Sequence, residues 1–196
     1  IVYSKEKKIS TIDYREKAPI NSHEDMFLDE EGEVVKGLSL ESYLASGIPG
    51  TVAGLIQLYD DEASMPLEQL ITPAIRLANE GFKLSVFQAQ NLNKYAKKFK
   101  RNKAAEKIFV KDGGWKEGDL LVQKDLANSL YQISKKGRKA FYQGEITEKI
   151  LIDFKKNKGI FVKEDFLNYE IRKLKPLCGS YKIYQICSMP PPSSGG

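Results

Sequence analysis

Residues 64–85, "SMPLEQLITPAIRLANEGFKLS", contain the clearest secondary-structure signal in the chain. Their apolar side chains recur every three or four positions, which predicts a helix with one buried face. Pro66 suits the first turn, whereas Pro73 is expected to kink the helix or to split it in two. Gly81 is expected to end it in the left-handed conformation, which glycine adopts without steric penalty. The middle of the chain is therefore predicted to be helical.

Other segments of the middle and later chain predict helices for the same reason. Leu55 and Leu126 are among the side chains expected to face inward. The segments with this spacing are residues 47–61, 85–99, 122–137 and 144–159.

Both ends of the chain predict β-structure. Residues 1–16 alternate as a hairpin with a polar tip at residues 5–8, and residues 170–189 alternate as two strands around a turn at 176–180. That turn would place Cys187 opposite Glu170 or Ile171, too far from Cys178 to bridge, so free thiols are predicted. The fold class is α+β, a mostly helical middle flanked by two β-hairpins. Because isolated hairpins bury little, both are expected to join a sheet completed by further chain.

Composition limits the classes of protein that fit. With 196 residues, 41% apolar and 29% charged, the chain suits one globular domain or a large piece of one. No apolar run approaches the ~18 residues of a membrane span. Since the sequence begins with Ile1 and lacks a signal-peptide pattern, its start is expected to be internal.

Metal and nucleic-acid sites are poorly supported by the residue types. Two cysteines and the single His23 cannot supply the roughly four ligands of a structural zinc site. The formal charge of +5 is a mild excess. The basic run at residues 97–103 contains one aromatic residue, and a solvated helix end explains it more simply than nucleic-acid binding.

Two short motifs are candidates for binding chemistry. "GIPGTVAG" at residues 47–54 could cradle an anion at a helix start, but it matches no phosphate-binding pattern, and a tight loop-to-helix turn is the simpler interpretation. "DYREKAP" at residues 13–19 ends a strand with Asp13, Arg15 and Glu16. The arginine fork suits one carboxylate, and Asp13 or Glu16 could hold it in place. From the residues alone, a structural ion pair is the favoured interpretation.

No nucleophile–base constellation is visible, because the one histidine lies in the polar stretch "NSHED". Residue types alone therefore predict an α+β protein without naming its activity.

Five stretches, taken in order, resemble the γ-glutamyltranspeptidase family. They are "TIDYREKAP" (11–19), "SGIPGTVAGL" (46–55), "LEQLITPAIRLANEGF" (67–82), residues 116–150 and residues 162–196, the last ending in "PPPSSGG". Together they cover nearly all of residues 1–196.

The resemblance implies an N-terminal-nucleophile hydrolase with an αββα sandwich, made as a proenzyme that cleaves itself into large and small subunits. The new N-terminal threonine of the small subunit would attack the γ-glutamyl amide of glutathione or a related compound, and water or an acceptor amino acid or peptide would take the γ-glutamyl group. Its free α-amine can serve as the base, and no cofactor is implied.

On this resemblance, residues 1–196 are one incomplete piece of the large subunit, without the small catalytic subunit, and the fragment alone is inactive. The complete protein is expected to be periplasmic or secreted. Arg15 matches the arginine that grips the α-carboxylate of the γ-glutamyl group, with Glu16 and Asp13 in support. Two alternatives remain open: a poly-γ-glutamate-processing relative, or a non-catalytic basic helical interaction module.

Overall fold

The computed structural model describes residues 1–3 and 8–193. Most of the predicted hairpin tip, residues 5–7, and the final residues of the "PPPSSGG" motif lie outside this part of the chain. The described residues divide into two compact units. One comprises residues 1–64 and 137–196, and the other residues 65–136. The interpretation of 1–196 as one piece of a larger subunit stays a prediction.

The first unit contains most of the β-structure. Its strands are β1 (Val2–Tyr3), β2 (Ile9–Asp13), β5 (Arg172–Leu174), β6 (Leu177–Tyr181) and β7 (Tyr184–Ser188). Its helices are α1 (Leu38–Glu41), α2 (Thr51–Glu62), α7 (Arg138–Tyr142), α8 (Glu145–Lys156) and α9 (Lys163–Leu167), with a 3₁₀ turn at Tyr43–Ala45. β1, β2 and β5 form one antiparallel sheet, and β6 and β7 form another. The first hairpin therefore pairs with β5, a strand of this same chain.

The second unit is mainly helical. It contains α3 (Leu67–Glu80), β3 (Phe82–Lys83), α4 (Val86–Phe99), α5 (Lys103–Phe109), β4 (Leu120–Leu121) and α6 (Lys124–Lys136). β3 and β4 form an antiparallel ladder, and Gly81, whose φ is +85°, lies between α3 and β3. A side chain at Gly81 would meet Val122 and Leu120, so glycine is needed there for both conformation and space.

Helix signals in this unit were predicted well, with three corrections, of which the first is Gly81, whose ψ of 169° lies outside the predicted left-handed helical region. The side chain of Ser85 and that of Gln88 form a capping box at the start of α4, as local sequence favours. α3, however, runs continuously through Pro73 instead of splitting. Leu126 is exposed, as is Leu55 in α2 of the first unit. The buried residues are Ala127, Ile133 and Ser134 in α6, and Ala53, Gly54 and Ile56 in α2.

The prediction for residues 170–189 was wrong in its register. Residues 170–189 contain three strands rather than two, and the last two reverse at residues 182–183, not at 176–180. Cys178 and Cys187 are consequently direct cross-strand partners and form a disulfide, with Cα atoms 4.1 Å apart. The free-thiol prediction failed because it depended on the misplaced turn.

The core of the first unit is rich in aromatic side chains. Tyr142, Tyr169 and Phe166 are almost completely buried. They pack with Ile48, which lies in the loop before α2. This core lies directly behind the end of β2, where the predicted site residues are found.

Candidate functional site

The end of β2 is attached to β5 by buried side chains. Asp13 lies directly opposite Arg172 in the register of the two strands. Asp13 Oδ2 accepts hydrogen bonds from Arg172 Nε, at 3.0 Å, and from Nη2. Two positions earlier, the Thr11 hydroxyl donates to the Leu174 carbonyl at 2.6 Å. The strand end is therefore held by side chains as well as by its ladder.

Asp13 is ionised in this setting. Its residue surface is 8% exposed. Burial acts to raise the pKa of Asp13, but the hydrogen bond from the Arg15 amide and the fork and charge of Arg172 outweigh it, so the pKa lies below its usual value. The ion pair that the sequence left as an alternative for "DYRE" thus exists between Arg15 and Glu16, whereas the partner of Asp13 is Arg172.

Arg15 is held by its main chain, while its side chain extends into solvent. Its amide donates to Asp13 Oδ1 at 3.0 Å, and its carbonyl accepts a hydrogen bond from the Tyr169 hydroxyl at 2.8 Å. The guanidinium Nε lies 3.3 Å from Glu16 Oε1, and both side chains are 58% exposed. Of the two carboxylates, Glu16 contacts the Arg15 guanidinium, whereas Asp13 contacts the main chain of Arg15 and not its side chain.

These residues line an open cleft of about 370 Å³. Its lining is charged throughout and combines three basic with three acidic side chains: Asp13, Arg15, Glu16, Lys17, Glu170 and Arg172. Arg172 is engaged by the buried Asp13, whereas the Arg15 guanidinium pairs with the exposed carboxylate of Glu16. A small ligand carrying one carboxylate and one ammonium group matches this mixture of charges.

The glycine motif "SGIPG" lies against the same segment. Lys17 and Ile48 exchange two backbone hydrogen bonds, at 3.3 and 2.7 Å. A Cβ on Gly50 would lie 1.9 Å from the Tyr169 hydroxyl oxygen and 2.0 Å from the Tyr14 carbonyl oxygen. A Cβ on Gly54 would meet the Tyr14 ring at 2.3 Å. These glycines permit the close approach of two chain segments, which supports the loop-to-helix turn over the anion cradle.

Two buried tyrosines join the loop to the strand end. The Tyr142 and Tyr169 rings stack with centroids 5.6 Å apart. The Tyr142 hydroxyl donates to the Pro49 carbonyl at 2.7 Å and accepts from the Ala53 amide at 3.2 Å. Arg138 in turn donates from Nη2 to the Tyr169 carbonyl. Burial and neighbouring charges, Tyr142 and Asp13 first among them, raise the pKa of Tyr169 to about 12.

Sequence analysis missed Arg172, Tyr169 and Tyr142. Each lies more than 75 residues after the strand that it supports, and no local spacing relates them to it. A correct β2–β5 register would have placed Arg172 opposite Asp13. The hydroxyl contacts have no such signal, because they depend on where α7 and α9 pack.

The other candidates of the sequence analysis do not join this cleft. His23 is exposed next to a turn. Lys97 and Lys98 are in the last turn of α4, and Asn102 caps the α5 that follows, as expected for a helix end. Within residues 1–3 and 8–193, no group of three or more His, Cys, Asp or Glu side chains could hold a metal ion. None of the described helices is both long and apolar enough to cross a membrane.

Comparison with known proteins gives consistent matches along the chain. A family profile described as "Gamma-glutamyltranspeptidase" matches residues 1–196. The glutathione hydrolase proenzyme of Escherichia coli (strain K12) is 43% identical over 198 residues, which cover 100% of this chain and 34% of that protein. The chain thus spans about a third of the length of the curated relatives that it matches.

Solved structures agree with the sequence matches. The structure of Helicobacter pylori gamma-glutamyltranspeptidase superposes with a TM-score of 0.95 at 45% identity, covering 99% of this chain and 56% of that one. The Bacillus anthracis transpeptidase enzyme CapD superposes with a TM-score of 0.74 at 31% identity, covering 99% of this chain and 59% of that one.

Proposed function

The chain belongs to the γ-glutamyltranspeptidase family, and on that premise we propose that it is part of the large subunit of a γ-glutamyltransferase/glutathione hydrolase. The match to proenzymes extends along the whole of this chain and through both units. This supports an enzyme over the non-catalytic interaction module. The name "Glutathione hydrolase proenzyme" of the relatives supports glutathione and other small γ-glutamyl compounds as donors over poly-γ-glutamate.

Within this proposal, Arg15 binds the α-carboxylate of the γ-glutamyl group. The observation that carries the assignment is the division of labour between two arginines. Arg172 neutralises the buried Asp13, while the Arg15 guanidinium lines the charged cleft and pairs with the exposed Glu16. A ligand carboxylate can bind the Arg15 guanidinium without leaving the buried Asp13 unpaired, because the partner of Asp13 is Arg172.

Glu16 supports the fork and adds negative charge beside it. Its carboxylate holds Arg15 Nε, which leaves the terminal guanidinium nitrogens for the ligand. Asp13 supports Arg15 indirectly, through the Arg15 amide.

The reaction itself belongs to the complete protein. The threonine oxygen of the small subunit would attack the γ-carbonyl, the amine of the leaving group would depart with a proton, and water or an acceptor amine would then cleave the ester. Holding the α-carboxylate at a fixed distance from that carbonyl contributes by orienting the substrate, which lowers the entropic cost of reaching the transition state.

Self-cleavage into two subunits and export from the cytoplasm are part of the same proposal. The relatives are named proenzymes, which supports processing. The Cys178–Cys187 disulfide supports an oxidising compartment such as the periplasm, because disulfides persist there.

The experiment that tests the function uses the complete protein. It is first incubated and examined for cleavage into two chains, and release of p-nitroaniline from γ-glutamyl-p-nitroanilide is then measured. Cleavage together with release supports the proposal, and the absence of both contradicts it.

The role of Arg15 is tested by Arg15→Lys in the processed enzyme. A carboxylate clamp is worth ~1.5–3 kcal/mol per charge-assisted hydrogen bond, so KM should rise or kcat/KM fall by about tenfold or more. Arg76→Lys makes the same change at an exposed position of α3 and should leave the kinetics unchanged. Unaltered kinetics for Arg15→Lys would remove Arg15 from the site.

A further inference from the structure

We propose that Tyr169 is a positioning residue for Arg15, whose main chain it holds so that the guanidinium points to the substrate carboxylate. This inference rests on the proposed function of Arg15. It concerns a residue that acts through another and does not itself touch the ligand.

Both polar groups of the Arg15 main chain are tied to buried partners. The amide donates to Asp13 and the carbonyl accepts from the Tyr169 hydroxyl, at 3.0 and 2.8 Å. The side chain beyond them is long and more than half exposed. Fixing the main chain at two points restricts where such a flexible side chain can place its charge, which is how supporting contacts preserve ligand geometry.

Tyr169 is itself held firmly enough to act in this way. It is 1% exposed, its ring stacks on that of Tyr142, and its own carbonyl accepts a hydrogen bond from Arg138. The hydroxyl sits where Gly50 has no side chain, so glycine at that position creates the space that the contact needs. The hydroxyl oxygen therefore has little freedom to move away from Arg15.

The hydroxyl also remains a donor under all conditions in which the enzyme would operate. Burial first, and then nearby negative charge, raises the pKa of Tyr169 to about 12. The phenol is consequently protonated at neutral and mildly alkaline pH, and the hydrogen bond to the Arg15 carbonyl persists.

A purely structural role for Tyr169 makes a different prediction, and Tyr142 provides the matched control. Both tyrosines are buried in the same core and stack on each other, and both donate to a backbone carbonyl, at 2.8 and 2.7 Å. The carbonyl bound by Tyr142 belongs to Pro49, not to Arg15. Tyr142→Phe removes two hydrogen bonds and Tyr169→Phe removes one, so a purely structural effect should be at least as large for Tyr142, but only the loss of the Tyr169 hydroxyl releases Arg15.

The test compares Tyr169→Phe with Tyr142→Phe in the complete, processed protein, with γ-glutamyl-p-nitroanilide as donor. For Tyr169→Phe, KM should rise about three- to tenfold while kcat stays within about twofold. For Tyr142→Phe, both constants should stay within about twofold, even where the melting temperature falls by the same amount. Equal kinetic effects of the two variants would overturn the proposal.

A double variant separates an action through Arg15 from an independent one. If Tyr169 acts through Arg15, then Arg15→Lys with Tyr169→Phe should raise KM no further than Arg15→Lys alone. Multiplication of the two single effects would overturn the inference. The outcomes also separate it from the proposed function: an unchanged KM for Arg15→Lys defeats both, whereas a raised KM for Arg15→Lys with an unchanged KM for Tyr169→Phe defeats this inference alone.

A second route remains if Tyr169→Phe does not accumulate. Arg138→Lys loosens the hold on the Tyr169 carbonyl without removing the hydroxyl. It should raise KM about two- to threefold with kcat preserved, and an unchanged KM would contradict the positioning role.

Discussion

The end of β2 and the β6–β7 hairpin are both antiparallel structures of the first unit, and they are stabilised in opposite ways. At the end of β2, Thr11 and Asp13 are buried and bonded to residues about 160 positions away. In the hairpin, every residue of β6 is exposed, and the two strands are joined by a disulfide between residues nine positions apart. Long-range side-chain contacts thus hold the segment that carries the site, whereas a local covalent bond holds the hairpin.

This difference predicts where the molecule is sensitive to added volume. Gly50→Ala should destabilise by about 3 kcal/mol, because its Cβ would lie 1.9 Å from the Tyr169 hydroxyl and 2.0 Å from a backbone oxygen. Gly179→Ala in β6 is the matched control, since nothing lies within 4 Å of its Cβ, and it should change stability by less than about 0.5 kcal/mol. Urea unfolding of the complete protein measures both. Equal losses would mean that the two regions do not differ in packing as described.

Removing the disulfide tests the other side of the comparison. The double variant Cys178→Ser with Cys187→Ser should lower the local stability of the hairpin by about 2–3 kcal/mol, because the unfolded hairpin gains entropy without the covalent link. The loss is moderate because the disulfide closes a short loop. Amide hydrogen exchange of the hairpin should accelerate, while KM for γ-glutamyl-p-nitroanilide should remain within about twofold. A tenfold change in KM would show that the hairpin and the Arg15 cleft are coupled.

The smallest predicted effect concerns the ion pair at the end of β2. Asp13→Asn should cost about 1–2 kcal/mol at pH 7, below the roughly 3–5 kcal/mol of a fully buried pair, because Arg172 is itself half exposed to solvent. Glu145→Gln breaks an exposed pair with Lys149 on α8 and should cost less than about 0.5 kcal/mol.

The pH dependence of stability follows from the same carboxylate. The pKa of Asp13 is lower in the folded than in the unfolded protein, so its stabilising contribution is complete above its unfolded pKa of about 4 and is lost as the pH falls through the folded pKa. As the pH is lowered from 7 to about 3, the unfolding free energy of the Asp13→Asn variant should therefore fall less steeply than that of the unaltered protein. An unchanged slope would exclude Asp13 as a source of the acid sensitivity.

Local pattern predicted the helices of the second unit because their signals are contained in a few adjacent residues. The capping box of Ser85 and Gln88 and the positive φ of Gly81 each involve neighbours in sequence. Gly81 nevertheless has a ψ of 169°, outside the left-handed helical region that was predicted, because it leads directly into β3.

The same reasoning failed for the final strands, where one misplaced turn changed every cross-strand partner. Residues 182–183 form the turn, so Cys187 faces Cys178 and not Glu170 or Ile171 as predicted. Alternation alone cannot distinguish two strands from three, since the side-chain period is the same in both.

By itself the sequence determined the α+β class, the positions of most helices, membership of the family and the candidate residue Arg15, because each depends on residue types in order along the chain. Only the tertiary structure decided that Arg172 neutralises Asp13, that Tyr169 holds the Arg15 main chain, and that Gly50 leaves the space that the Tyr169 hydroxyl occupies. Those contacts join residues that are distant in sequence, and they exist only after strand register and helix packing bring the partners together.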